Sequence, residues 1–264
     1  MKKRNRSKNK KGIYILPNLF TSCSLFGGFY AIIAATQGRY DAAAIAILIS
    51  ALFDGLDGKI ARMTNTASQF GVEFDSLSDL VAFGVAPGLL AFEWSLKPFG
   101  RFGWLAVFLY IICGALRLAR FNIQKSNLES RHFKGLPIPG AAVSIATAVL
   151  FINSFGGLTE GQHIMIVSAI YLLSFLMVST IDYLSFKEFG LFKQKPFNVL
   201  VATILVLIVV AYKPVLMLFI FASLYVFSGP VITVYYLSRR RAKKTAPGFD
   251  PALERSEKCA EHRT

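Results

Sequence analysis

Polar and apolar positions follow one another along this chain in long blocks, not in the short periods of a soluble domain. Apolar runs cover residues 19–36, 42–53, 71–92, 102–118, 141–155, 164–181, 199–212 and 215–237. Most approach the length of about 20 residues that a helix needs to cross a hydrocarbon core of about 30 Å. In lipid a chain segment must satisfy its own backbone hydrogen bonds, and a continuous helix does so. The pattern therefore predicts an all-α integral membrane protein, a bundle of about eight transmembrane helices.

One run is too short. Residues 42–53 are 12 in number, or roughly 18 Å of helix at about 1.5 Å per residue. The helix is expected to continue through Asp54 to Arg62, which carries acidic residues to the edge of the membrane. Residues 63–70 are polar and turn-forming. Gly84, Pro87 and Gly88 predict close helix packing or a kink in the third span.

Composition agrees with a lipid environment: 54% of the residues are hydrophobic and 24 are Phe. Net charge is +14, and its distribution matters more than its size. With the N-terminus inside, 25 of the 29 Lys and Arg fall on inner segments. Only Arg39, Lys97, Arg101 and Lys213 fall on outer loops. The positive-inside rule thus predicts cytoplasmic N- and C-termini and a multi-pass protein of the inner membrane. The same distribution excludes nucleic acid as a partner, because the charge lies at membrane junctions and forms no aromatic-interleaved patch.

Residues 1–12 read as a basic, disordered cytoplasmic N-terminus, 13–237 as the membrane domain, and 238–264 as a basic, disordered tail on the lipid surface. The first apolar run follows the basic stretch without a small-residue cleavage site and is read as a retained span. Cys23, Cys113 and Cys259 have no ligand or disulfide spacing. The three histidines are scattered and read as surface residues.

Candidate chemistry lies in residues 54–79, DGLDGKIARMTNTASQFGVEFDSLSD. On helices, Asp54 and Asp57 share one face and Asp75 and Asp79 another. Two antiparallel helices with those faces opposed would gather four carboxylates around one small space. Two like charges about 4 Å apart repel by roughly 4 kcal/mol at an effective dielectric near 20. Positive charge must therefore sit among them. Hard oxygen ligands suit Mg²⁺ or Mn²⁺, and two such cations would balance four carboxylates. Lys59 and Arg62 are placed to offset the charge of a metal-held diphosphate.

The array Asp54-x2-Asp57-Gly58-x2-Ala61-Arg62-x8-Gly71-x3-Asp75-x3-Asp79 resembles, without departure, the signature of the CDP-alcohol phosphatidyltransferase family. The resemblance implies that the four aspartates are ligands of two divalent cations, and that Asp79 is also the catalytic base. It implies that Gly58 and Ala61 let the nucleotide approach, and that Arg62 contacts phosphate. Asn18, Asp54, Lys59 and Thr66 join them on the CDP and diphosphate side. Members of the family commonly form homodimers, although no stretch of the sequence requires one.

The segments PNLFT at Pro17, RLARFN at Arg117 and FKGLPIPGA at Phe133 are similar to the phosphatidylserine synthase branch. That similarity implies CDP-diacylglycerol and L-serine as substrates, with an active site on the cytoplasmic side. Arg117, Arg120, Asn122 and Lys134 become acceptor-binding candidates. Positive-inside anchoring is the competing explanation and accounts for Lys125 and Arg131, but less well for Arg117 and Arg120, which end an apolar helix near the leaflet boundary. The aspartate array is blind to the acceptor, so glycerol 3-phosphate, an inositol phosphate or choline are rival acceptors. A cation transporter is the rival from another class. The clustering of the acids at one membrane face, without a second charged site, speaks against it.

Overall fold

The computed structural model describes residues 15–64, 68–126, 135–181, 183 and 213–244, and every regular element among them is helical. Helix α1 is Ile15–Thr36, α2 Tyr40–Thr64, α4 Arg101–Ser126, α5 Ile138–Ser154, α6 Glu160–Val178 and α7 Pro214–Lys244. Between α2 and α4, a composite helix α3 runs over Gln69–Phe99. Seven of the expected spans coincide with these helices. The expected span at 199–212 lies outside the described residues.

Among the described residues, five helices are long and apolar enough to cross a membrane: Leu16–Thr36, Gln69–Phe99, Arg101–Ile123, Gly161–Val178 and Pro214–Thr233. Their packing follows from lipid as solvent. Large apolar side chains such as Phe26, Phe29, Phe108, Phe175 and Phe227 are exposed, whereas many of the buried positions are small ones. Ala31, Ala34, Ala35, Ala43, Ala82, Ala86, Ala91, Ala106, Ala141 and Ala146 are fully buried. Without a hydrophobic force between helices in lipid, association rests on close approach, and small residues permit it. Gly28 shows how close: a Cβ there would lie 2.6 Å from Cα of Ala82.

Helix α2 has the 25 residues the short second run required. The kink expected around Gly84, Pro87 and Gly88 takes a particular form. Straight helix over Gln69–Asp79 gives way to a π-helical turn at Leu80–Val85, in which Ala86 N–H donates to the Val81 carbonyl. A second wide turn covers Phe92–Leu96. Such turns leave carbonyls without their usual partners, and the buried Tyr110 hydroxyl donates to the Phe83 carbonyl at 2.9 Å.

Two boundaries differ from expectation. Helix α4 does not end near Leu118 but continues to Ser126, so Arg120 and Asn122 stand on helix and not in a polar connection. Helix α7 continues through the basic run to Lys244, where a disordered tail was expected from Ser238. Lys and Arg are good helix formers, and cations are favourable at a helix C-terminus.

The end of the bundle away from the aspartates is closed by polar pairs. Asn153 donates to Asp41 at 2.7 Å and accepts from Trp94 at 3.1 Å. Tyr40 donates to the Glu93 carbonyl, and Lys97 pairs with the Glu93 side chain. His163, expected as a surface residue, is instead half-buried on α6, with Nδ1 3.0 Å from the Ser95 hydroxyl.

Candidate active site

Asp54 and Asp57 occupy the last turns of α2, and Asp75 and Asp79 the straight first part of α3. The two helices bring their acidic faces together. One carboxylate oxygen from each of Asp54, Asp57 and Asp75 lies within 4.8 Å of the others. Asp79 joins them, its side chain in hydrogen-bond contact with Asp54 and close to Asp75 and Asp57. At about 4.8 Å and an effective dielectric near 20, each carboxylate pair repels by about 3.5 kcal/mol. Clustered hard oxygens at this spacing fit one or more divalent cations.

The fold positions these acids through α1, a helix to which the sequence assigned only Asn18. Thr21 Oγ1 donates to Asp57 Oδ2 at 2.7 Å, and Ser78 Oγ on α3 donates to the Thr21 carbonyl at 3.1 Å. Asp57 also accepts from the backbone of Gly58. Asn18 lies against Gly71, where a Cβ would come 3.3 Å from Asn18 Oδ1 and 3.1 Å from Ser68 Oγ. Ser68 caps α3 by accepting from Gly71 N–H at 3.0 Å. Gly71 thus serves the tight entry of α3. Gly58 is different: a Cβ there meets nothing within 4 Å, so the α2 backbone beside the acids is open to a ligand.

Lys59 is exposed on α2 beside this opening. Ala61 and Arg62 belong to the same helix, but their side chains, together with Thr66 and Lys134, lie outside the described residues.

On the other side stands α4. The Arg117 guanidinium is largely buried and interacts electrostatically with Asp79 and with Tyr225 of α7. Its Nε has no hydrogen-bond partner among the described residues. Asn122 Nδ2 donates to Ser76 Oγ at 2.8 Å, tying α4 to α3 one residue past Asp75. Arg120 is partly exposed on α4. The four acids therefore have both an open glycine backbone and a largely buried arginine beside them.

The family model for CDP-alcohol phosphatidyltransferase matches residues 14–181. The chain belongs to the CDP-alcohol phosphatidyltransferase family. A CDP-diacylglycerol–serine O-phosphatidyltransferase of Helicobacter pylori (strain ATCC 700392 / 26695) is 40% identical over 217 residues, 82% of this chain and 90% of the relative. An enzyme of that name from Bacillus subtilis (strain 168) is 35% identical over 173 residues, 66% of this chain and 92% of the relative. An archaetidylserine synthase of Methanothermobacter thermautotrophicus is 37% identical over 170 residues, 64% of this chain and 69% of the relative. The matched region holds the whole acid cluster, Gly58 and Arg117. Phosphatidyltransferases of this family use divalent metals, and the acid cluster is a group of residues in this chain that could hold one.

Thr21, Ser76 and Tyr225 were not singled out by the sequence. Thr21 sits in the PNLFT segment, and a hydroxyl in an apolar span facing a carboxylate helix is a usable signal. Ser76 lies beside Asp75 in the sequence, but its partner Asn122 is 46 residues away, and Tyr225 carries no signal, because only tertiary packing brings it to the site.

Proposed function

We propose that the chain transfers the phosphatidyl group of CDP-diacylglycerol to L-serine, releasing CMP, at the cytoplasmic face of the inner membrane. The observation that carries this is the buried Arg117 guanidinium beside Asp79, at the edge of the four-carboxylate cluster. Serine as acceptor is supported by the names of the relatives.

Arg117 takes the acceptor carboxylate, for which a guanidinium is the matching donor. Only two carbons separate the carboxylate of serine from its hydroxyl group, so a serine held on Arg117 presents that hydroxyl to Asp79. Asp79 accepts the hydroxyl proton as the serine oxygen forms its bond to the lipid-linked phosphorus. The bond from that phosphorus to the bridging oxygen breaks in line, and its electron pair leaves with CMP. Two cations, Mg²⁺ or Mn²⁺, held by Asp54, Asp57, Asp75 and Asp79, offset the charge of the diphosphate when bound. The family resemblance assigns Asn18, Lys59, Arg62 and Thr66 to the diphosphate, and the open backbone at Gly58 admits the nucleotide. The same resemblance assigns Arg120, Asn122 and Lys134 to the acceptor. The same proposal carries eight spans, the seventh at 199–212, and both termini in the cytoplasm.

The test is CMP release by the purified full chain with CDP-diacylglycerol and Mg²⁺ or Mn²⁺, across serine, glycerol 3-phosphate, inositol phosphate and choline. Release that depends on serine is expected. Dependence on another acceptor would keep the site and overturn serine. Absence of release with all four, in folded protein, would return the acids to an ion path.

A further inference from the structure

Helix α7 carries no signature, and over Pro214–Thr233 it is the most apolar of the five long helices. Yet one of its residues reaches the active site. Tyr225 is half-buried, and its hydroxyl interacts electrostatically with the Arg117 guanidinium, which also interacts with Asp79.

The ring of Tyr225 is held by two other parts of the chain. Gly140 of α5 makes room for it, since a Cβ there would lie 3.0 Å from Cε1 of the ring. Tyr183, beyond α6, stacks at a tilt with ring centroids 5.8 Å apart. Tyr183 is itself fixed: its ring lies on Gly229, and its hydroxyl donates to the Val226 carbonyl at 3.2 Å. Packing of this kind defines where the Tyr225 hydroxyl points. A phenol in an apolar span is costly unless its polar end meets a partner, and a cation stands near this one.

We propose that Tyr225 is a positioning residue for the acceptor, acting through Arg117. It rests on the assignment of Arg117 to the acceptor carboxylate. The Tyr225 oxygen accepts from one edge of the guanidinium and fixes the plane of the fork. The remaining N–H groups then face the space above Asp79 in the orientation that a carboxylate needs. Freed from that anchor, a long arginine side chain samples several rotamers, and the cost of ordering it falls on each acceptor binding event.

The experiment compares Tyr225→Phe, Arg117→Lys and the double variant in the purified full chain. The readouts are the KM for serine, the KM for CDP-diacylglycerol, and the kcat/KM ratio of L-serine over L-serinamide. Serinamide lacks the carboxylate, and the ratio does not depend on how much of the protein is folded. Tyr225→Phe keeps the ring and loses only the oxygen. It is expected to raise the serine KM and lower the serine-to-serinamide ratio, each by about tenfold, the size of one hydrogen bond to a charged group. The KM for CDP-diacylglycerol stays within twofold, and the double variant is no worse than Arg117→Lys alone. A ratio unchanged in Tyr225→Phe but reduced in Arg117→Lys overturns the role of Tyr225 and leaves Arg117 in place. A ratio unchanged in both overturns the assignment of Arg117 itself.

Discussion

Thr21 donates a 2.7 Å hydrogen bond to Asp57, and this contact joins the first helix of the protein to its acid cluster. The same hydroxyl lies 3.1 Å from the Pro17 carbonyl, but a single proton favours the charged acceptor at the shorter distance. Asp57 is thereby aimed from behind, in the manner of the outer partners that orient metal ligands and tune affinity by about 10- to 100-fold. Thr21→Val, similar in shape but without a donor, is expected to raise the Mn²⁺ concentration for half-maximal CMP release about tenfold. Thr21→Ser should restore it. A metal requirement unchanged in Thr21→Val would show that Asp57 needs no such support.

The two glycines Gly28 and Gly58 make opposite predictions. A side chain at Gly28 runs into the backbone of Ala82, so Gly28→Val should destabilise the protein by about 1–3 kcal/mol, read as a lower thermal midpoint in detergent. A side chain at Gly58 enters open space, so Gly58→Val should leave the midpoint unchanged. If CDP approaches there, its KM for CDP-diacylglycerol should rise about tenfold. Unaltered kinetics in that variant would move the nucleotide elsewhere.

Tyr110→Phe tests the wide turn that follows Asp79. Removing the hydroxyl leaves the buried Phe83 carbonyl without its partner, at a cost of about 1–3 kcal/mol. The thermal midpoint should drop while the KM for serine stays within twofold. A variant as stable as the parent would mean that the turn relaxes to recover the bond.

The fold was legible where lipid imposes long blocks, and the acid cluster where spacing on a helix imposes a face. The shortfall of the 42–53 run foretold the 25-residue α2. Asp54, Asp57, Asp75 and Asp79 converge because their i,i+3 and i,i+4 spacings survive in straight helix. What escaped was set by packing across the bundle. The continuation of α4 to Ser126 brings Asn122 to Ser76, yet its polar composition reads as a connection. Gly84, Pro87 and Gly88 announced a distortion without saying that it would be a π turn beginning directly after Asp79. Tyr225 meets Arg117 across 108 positions of sequence, and no local pattern encodes that meeting.

The aspartates carry the heaviest prediction. Asp54→Asn, Asp57→Asn, Asp75→Asn and Asp79→Asn each remove one charge from the cluster and leave its volume. Each should lower transfer by at least about a hundredfold, the scale of removing one preorganised electrostatic group, with protein level in the membrane unchanged. Near-normal turnover in any two would dissolve the metal-site assignment.

The central claim is tested most directly by following labelled serine into lipid with the purified full chain, CDP-diacylglycerol and Mn²⁺, beside Asp79→Asn. Labelled phosphatidylserine should form in equal amount to CMP, and the variant should lose it. CMP released at the same rate without serine, or label transferred equally well by Asp79→Asn, would contradict the claim.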